Sequence, residues 1–316
     1  MDRRTALGAG LAGALALAGC ATQTHRLLSG GAPGLPRRVE LVDVPFFPQG
    51  ERYLCGPETL AAVLHAAGLP ATPAQLVPQV YLPGRLGSLQ AEMLAATRRQ
   101  GAVPYVLPQR VEAVLREVAG GTPVLILQNL GLQWAPTWHY AVLVGYDLDQ
   151  AHVVLRSGPQ RRQLMSLRTF EHTWGRSDHW AFVALAPGRL PLTVVETEAV
   201  RALVAFERVA PPAVAVRAYE AGLQRWPASL LLQMGLGNAL YAAGRKAEAA
   251  DRFEGTARQH RHAAAWINLG SVALELGQRE RAELAAREAV ALGGAWAAQA
   301  RQLQARVQQG RAGPLP

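Results

Sequence analysis

The chain has 316 residues, half of them hydrophobic, which is enough for one to three domains with cores of their own. Its formal net charge is +9, carried almost wholly by arginine, with Lys246 the only lysine. Those arginines are spread through every segment without a dense block, so the charge leaves no nucleic-acid footprint and nucleic acid is not expected as a partner.

The N-terminus reads first. Met1-Asp-Arg-Arg4 is a short positive region, and residues 7–18 are an apolar run of signal-peptide length, too short to span a membrane. The run ends Leu17-Ala18-Gly19-Cys20. This resembles the bacterial lipoprotein signal, and the resemblance implies removal of residues 1–19 and diacylglyceryl attachment at Cys20, whose acyl chains anchor stably in a bilayer. An ordinary cleaved signal with an incidental cysteine is the alternative. Ala21 is not the aspartate that usually retains such proteins at the inner membrane, so the expected location is the bacterial envelope, at the outer membrane facing the periplasm. Residues 20–37, with Ser-Gly-Gly-Ala-Pro-Gly-Leu-Pro at 29–36, are expected to be a flexible tether without a fold.

A first domain is expected over residues 38–190. Residues 39–44 alternate like a strand, and 45–50 form a loop leading to Cys55. A helix follows over 58–67, stopped by Gly68 and Pro70. Thr72 is an N-cap with Pro73 in the first turn, residues 80–87 are a loop, and Ser88 caps a helix over 89–100. Next come a strand at 103–107, a helix at 111–119 closed by Gly120-Gly121, and a buried strand at 123–127. Residues 138–146 and 152–158 are two strands around a hairpin, and 180–185 closes the sheet. Helices first and antiparallel strands after give an α+β layout.

Cys55 stands at the start of the first predicted helix, where unpaired N–H groups and the positive end of the macrodipole favour a thiolate. The only other cysteine, Cys20, belongs to the export segment, so Cys55 has no intramolecular partner, and a free thiol in an exported chain calls for chemistry or for burial. Gln49, six residues earlier, is placed to give an amide donor to the oxygen of an attacked carbonyl. His139 opens a strong strand, and an imidazole there can meet a helix-start thiol across a cleft.

These residues carry a resemblance. Gln49-x5-Cys55-Gly-Pro, with His139-Tyr-Ala-Val-Leu-Val-Gly-Tyr-Asp 84 residues beyond the cysteine, is similar to the bacteriocin-processing cysteine peptidases, papain-like domains that cut after double-glycine leaders. The resemblance implies that Gln49 serves the oxyanion, Cys55 is the nucleophile and His139 the general base, with no cofactor and no metal. It also implies an Asp or Asn on the strand after the histidine strand. Here that stretch reads Leu155-Arg-Ser-Gly158, and strand alternation gives the position to Ser157. A serine accepts the imidazole N–H but brings no charge, so a slow enzyme or a non-cutting peptide-binding adaptor is the alternative reading, and acyl transfer by the same site is a third. Asp147, Asp149 and Asp178 are the nearby carboxylates. His65 and His152 read as structural, and His172, Asp178 and His179 have no coherent metal-ligand spacing. Arg156, Arg161, Arg162 and Arg168 read as a solvated face or as a groove for an acidic peptide.

Composition shifts after residue 190, and a period of about 33 residues appears. Leu236-Gly237, Gly244, Ala249 and Phe253 recur as Leu269-Gly270, Gly277, Ala282 and Ala286. The pattern is like the tetratricopeptide repeat. It implies an all-α second domain over 191–316, with repeats at 196–229, 230–262 and 263–294 and a capping helix at 295–309. Such a stack binds a peptide or a partner protein. The whole is expected to be an envelope-anchored peptidase of α+β papain-like fold followed by tetratricopeptide repeats.

Overall fold

A computed structural model describes residues 22–48 and 53–310. Cys20, the signal segment and Gln49 lie outside the described residues. The described residues fall into two units, one drawn from residues up to 97, 106–184 and 191–194, the other from 98–105, 185–190 and 195–316.

In the first unit α1 is Gln23–Ser29, β1 Arg38–Glu40, α2 Cys55–Ala66, α3 Pro73–Val80, β2 Tyr81–Leu82, β3 Gly87–Ser88 and α4 Gln90–Arg99. After β4 Val103–Val106, which straddles the division, come α5 Val111–Ala119, β5 Val124–Asn129, β6 Trp138–Asp147, β7 His152–Ser157, β8 Gln160–Ser166, α6 Leu167–Gly175 and β9 Ala181–Leu185. Antiparallel pairing runs β9-β5-β6-β7-β8, and β1 pairs with β6. β9 therefore lies beside β5 within the sheet.

Local chemistry explains the helices. Residues 60–64 of α2 are all buried, so this helix is a core element apolar on most sides. α3 starts with the capping box its sequence announces: Thr72 Oγ1 accepts from Gln75 N, and Gln75 Oε1 accepts from Thr72 N at 2.9 Å. Ser88 is no cap. It is the last residue of β3, its hydroxyl carries no hydrogen bond, and Leu89 O receives the first bond of α4 from Met93. The expected loop at 80–87 is the short β2–β3 hairpin.

Residues 22–37 are not a structureless tether. Thr22 caps α1 by accepting from His25 N, and the Glu171 carboxylate of α6 accepts from Gln23 N at 2.7 Å and Thr24 N at 2.8 Å. Gln23 Oε1 in turn accepts from Val111 N at 2.8 Å, and Leu27, Ala32 and Leu35 are buried. The first N–H groups of a helix need acceptors, and here a carboxylate from far along the chain supplies them.

Burial alone raises the Glu171 pKa. The hydrogen bonds from Thr24, Gln23 and Thr22 outweigh it and hold the group below the usual carboxylate range. A depressed carboxylate contributes stability above its unfolded value, lost as pH falls through its folded value. We expect Glu171→Gln to weaken α1 docking by about 1–3 kcal/mol, the size of hydrogen bonds to a charged group. Hydrogen exchange at the α1 amides checks this: wild-type protection should fall on acidification below about pH 4, and the variant should be less protected than wild type already at neutral pH.

The second unit holds α7 Glu196–Glu207, α8 Pro212–Arg225, α9 Leu230–Ala242, α10 Lys246–His260, α11 Ala263–Glu275, α12 Arg279–Leu292 and α13 Ala297–Gln308. Glycines let successive helices close up. A Cβ at Gly235 would lie 2.4 Å from the Tyr219 ring, and one at Gly237 would lie 2.4 Å from the Phe253 ring.

Candidate active site

Cys55 is the first residue of α2 and a free cysteine. Tyr53, two residues earlier, is held at φ +74°, where an aromatic residue rarely sits, so the turn into the helix is fixed by its surroundings. Gly56 follows because nothing larger fits: a Cβ there would meet Ser88 Oγ at 2.3 Å. β3 thereby packs on the start of α2, and Tyr140 OH donates to Ser88 O at 3.1 Å, tying β6 to the same place. The Tyr140 backbone N–H also points to the Cys55 sulfur. The thiol therefore rests against the residue that follows His139.

His139 is the second residue of β6, and its Nε2 lies 2.9 Å from Ser157 Oγ, at the end of β7. That leaves Nδ1 as the ring nitrogen not engaged by Ser157. Ser157 and Cys55 line one narrow crevice with Thr59, Val142 and Arg156, of about 10 Å³, which holds roughly one water. Thiol, imidazole and hydroxyl are thus brought to one end of the sheet, from a helix start and two neighbouring strands.

The electrostatics differ from what a helix start alone predicts. Burial pushes the Cys55 thiol up, against the lowering effect of the Tyr140 N–H, and the Glu58 carboxylate adds to the rise. Burial pulls the His139 imidazole down. Both shifts favour the uncharged forms, thiol and imidazole.

The neighbouring carboxylates do not reach this imidazole among the described residues. Asp147 accepts from Asp149 N and Gln150 N at the hairpin turn, and Asp149 pairs with Arg37. The arginines are not one solvated face. Arg162 binds Glu40 through two nitrogens, at 2.8 and 3.0 Å, whereas Arg156 is only 5% exposed and donates to the carbonyls of Arg161 and Val42. Buried and without a bonded carboxylate, Arg156 braces the β7–β8 turn and the segment after β1. Among the described residues no group of three or more His, Cys, Asp or Glu is placed to hold a metal.

Gln128 escaped the sequence reading. It sits directly across from His139 in the β5–β6 register, fully buried, with Nε2 donating to Thr173 Oγ1 at 2.6 Å and Oε1 without a partner. Only the strand register marks it.

No curated protein matches the chain. Among solved structures, a chain from Bacillus anthracis described as a C39-like peptidase is 17% identical, with a TM-score of 0.41; the match covers 48% of this chain and 98% of that one. Residues 41–181, the span that holds Cys55, His139 and Ser157, match the model of the Peptidase_C39 like family.

Proposed function

We propose that the first unit is a papain-type cysteine peptidase of the bacteriocin-processing kind, acting through Cys55 and His139. The observation that carries this is the convergence at one point: the thiol lies against Tyr140 N, and the adjacent His139 ring is held by Ser157 at 2.9 Å. In the reaction the thiol proton passes to His139 as sulfur attacks the peptide carbonyl. The oxyanion is met by the Cys55 N–H and the Gln49 amide. His139 then gives its proton to the leaving amine. Water, deprotonated by the same imidazole, hydrolyses the thioester and returns the free thiol. Ser157 accepts the Nε2–H throughout and brings no charge, so the imidazolium is less favoured than beside a carboxylate.

A second reading has its own support. A neutral orienting group and a thiol raised by burial both suit a peptide-binding adaptor that cuts weakly or not at all. The remaining parts of the proposal rest on sequence. Leu17-Ala-Gly-Cys20 supports a lipid anchor in the envelope, and docking of α1 from residue 23 onward would hold the body close to that anchor. Three helix pairs with glycine crossings support a tetratricopeptide-like module that binds a protein or peptide partner. Digestion of a peptide library by wild type and Cys55→Ala, read by mass spectrometry, tests the central claim. Cleavage by wild type alone is expected. Equal products from both would overturn it, and binding without cleavage by wild type would favour the adaptor.

A further inference from the structure

The hairpin joining β5 to β6 is built around an apolar tip. Residues 130–138 read Leu-Gly-Leu-Gln-Trp-Ala-Pro-Thr-Trp and contain no charge. Leu130, Leu132, Trp134 and Trp138 are 45, 54, 83 and 54% exposed. Such a cluster on a loose loop would mean little, but this one is framed by hydrogen bonds. Leu130 N donates to Thr137 O at 2.9 Å, and Leu132 N to Ala135 O at 3.1 Å. Asn129 Oδ1 accepts from Gly131 N at 3.0 Å and Thr137 N at 2.9 Å. Arg176 Nη1 donates to the carbonyls of Asn129 and Gly131 from below. At Gly131 a Cβ would meet Ala135 O at 2.4 Å, so the turn closes only around glycine. The frame pairs backbone groups of residues 129–132, 135 and 137 while large apolar side chains stand in water, an exposed apolar cluster of the kind that marks an interaction surface.

We infer that this tip is a membrane-contact element that enters the interfacial layer of a lipid bilayer. Shape and chemistry select that occupant over a peptide. Residues 132–138 are all exposed, so the tip projects, whereas peptides are recognised in grooves or along strand edges. The paired base of the hairpin holds its shape, and the interfacial layer still offers water to the backbone at the very tip. Trp and Leu without charge suit the boundary of headgroup and acyl chain, where indole N–H stays wet. The positive charge of the chain, spread over its surface, favours approach to an anionic surface in general. The tip ends at Trp138, beside His139. Taken with the proposed peptidase, it would turn the reacting end of the sheet toward the bilayer, selecting polypeptide that lies on or emerges from the membrane.

The test reads the depth of one indole in the full chain mixed with vesicles of phosphatidylethanolamine and phosphatidylglycerol. Trp134 is one of seven tryptophans, so its emission is taken as the difference between wild type and Trp134→Phe. That difference should shift to the blue on vesicles and be lost when the acyl chains carry bromine near the headgroup. Emission unchanged on vesicles to which the chain is bound would overturn the inference, and so would a chain that does not bind. A shift produced by an apolar peptide but not by vesicles would overturn it in favour of a peptide site. None of these readings depends on turnover, so the peptidase proposal stands or falls separately, by the library digest.

Discussion

Ser157→Asp is expected to raise kcat for peptide hydrolysis by about a hundredfold, below the ceiling of about 10⁴ that a carboxylate is worth in a serine triad, with KM little changed. The hydroxyl is already 2.9 Å from His139 Nε2, so a side chain at 157 reaches the ring without a change of backbone. What is missing there is charge. In the wild type His139 is pulled down by burial, and nothing bonded to the ring offsets the cost of making it cationic. A carboxylate at 157 would favour the imidazolium and raise the pKa of His139. The neighbouring Arg156 guanidinium, bonded only to carbonyls, would help keep the new carboxylate ionised at neutral pH. Two measurements follow from one titration. The acid limb of kcat/KM, which needs neutral imidazole, should move to higher pH in the variant, while turnover on the plateau rises. If both the limb and the plateau stay where they are, residue 157 does not hold the ring when the proton moves, and the proposed role of Ser157 is wrong.

The sequence carried those features that depend on neighbours in the chain. The Thr72-x-x-Gln75 box and the apolar block of α2 are local, and each is legible from spacing alone. For the closeness of Ser157 to His139 the resemblance named the strand, and strand parity across a hairpin named the residue. What was lost depends on distant partners. α1 reads as a linker because its acceptor, Glu171, lies 148 residues from Gln23. β8 is missed because an exposed strand of Gln-Arg-Arg-Gln shows little apolar alternation, which is also how an edge strand avoids pairing with other chains. α6 did carry a signal, an N-cap at Ser166 before apolar residues 167, 170 and 174, which was there to be read. The thiol shows the same division in its chemistry. A helix start says that the pKa falls, but the packing of β3, β6 and the segment after β1 around the sulfur says that it rises, and burial is the larger effect.

That last balance gives the other large effect. His139→Ala should abolish measurable hydrolysis, a loss of about 10²–10⁴ for removal of a general base, and should change how Cys55 reacts with iodoacetamide. In the wild type two routes to a reactive sulfur are expected as pH rises. The first opens when His139 becomes neutral and can take the thiol proton; because burial lowers its pKa, this rise should be centred below the ordinary histidine value of about 6.5. The second opens when the thiol ionises unaided, which burial delays beyond its ordinary value of about 8.5. The alkylation rate of wild type should therefore climb in two steps separated by a plateau, and His139→Ala should keep only the alkaline one. Folding has its own dependence on the same ring: a depressed imidazole contributes stability above its unfolded value, lost as pH falls through the folded value. Unfolding midpoints of wild type should thus drop in mild acid by more than those of the alanine variant. A single alkaline step in both proteins would mean that ring and sulfur do not exchange a proton, leaving a buried thiol beside a histidine bonded only to serine, which is the arrangement of a binding domain and not of a peptidase.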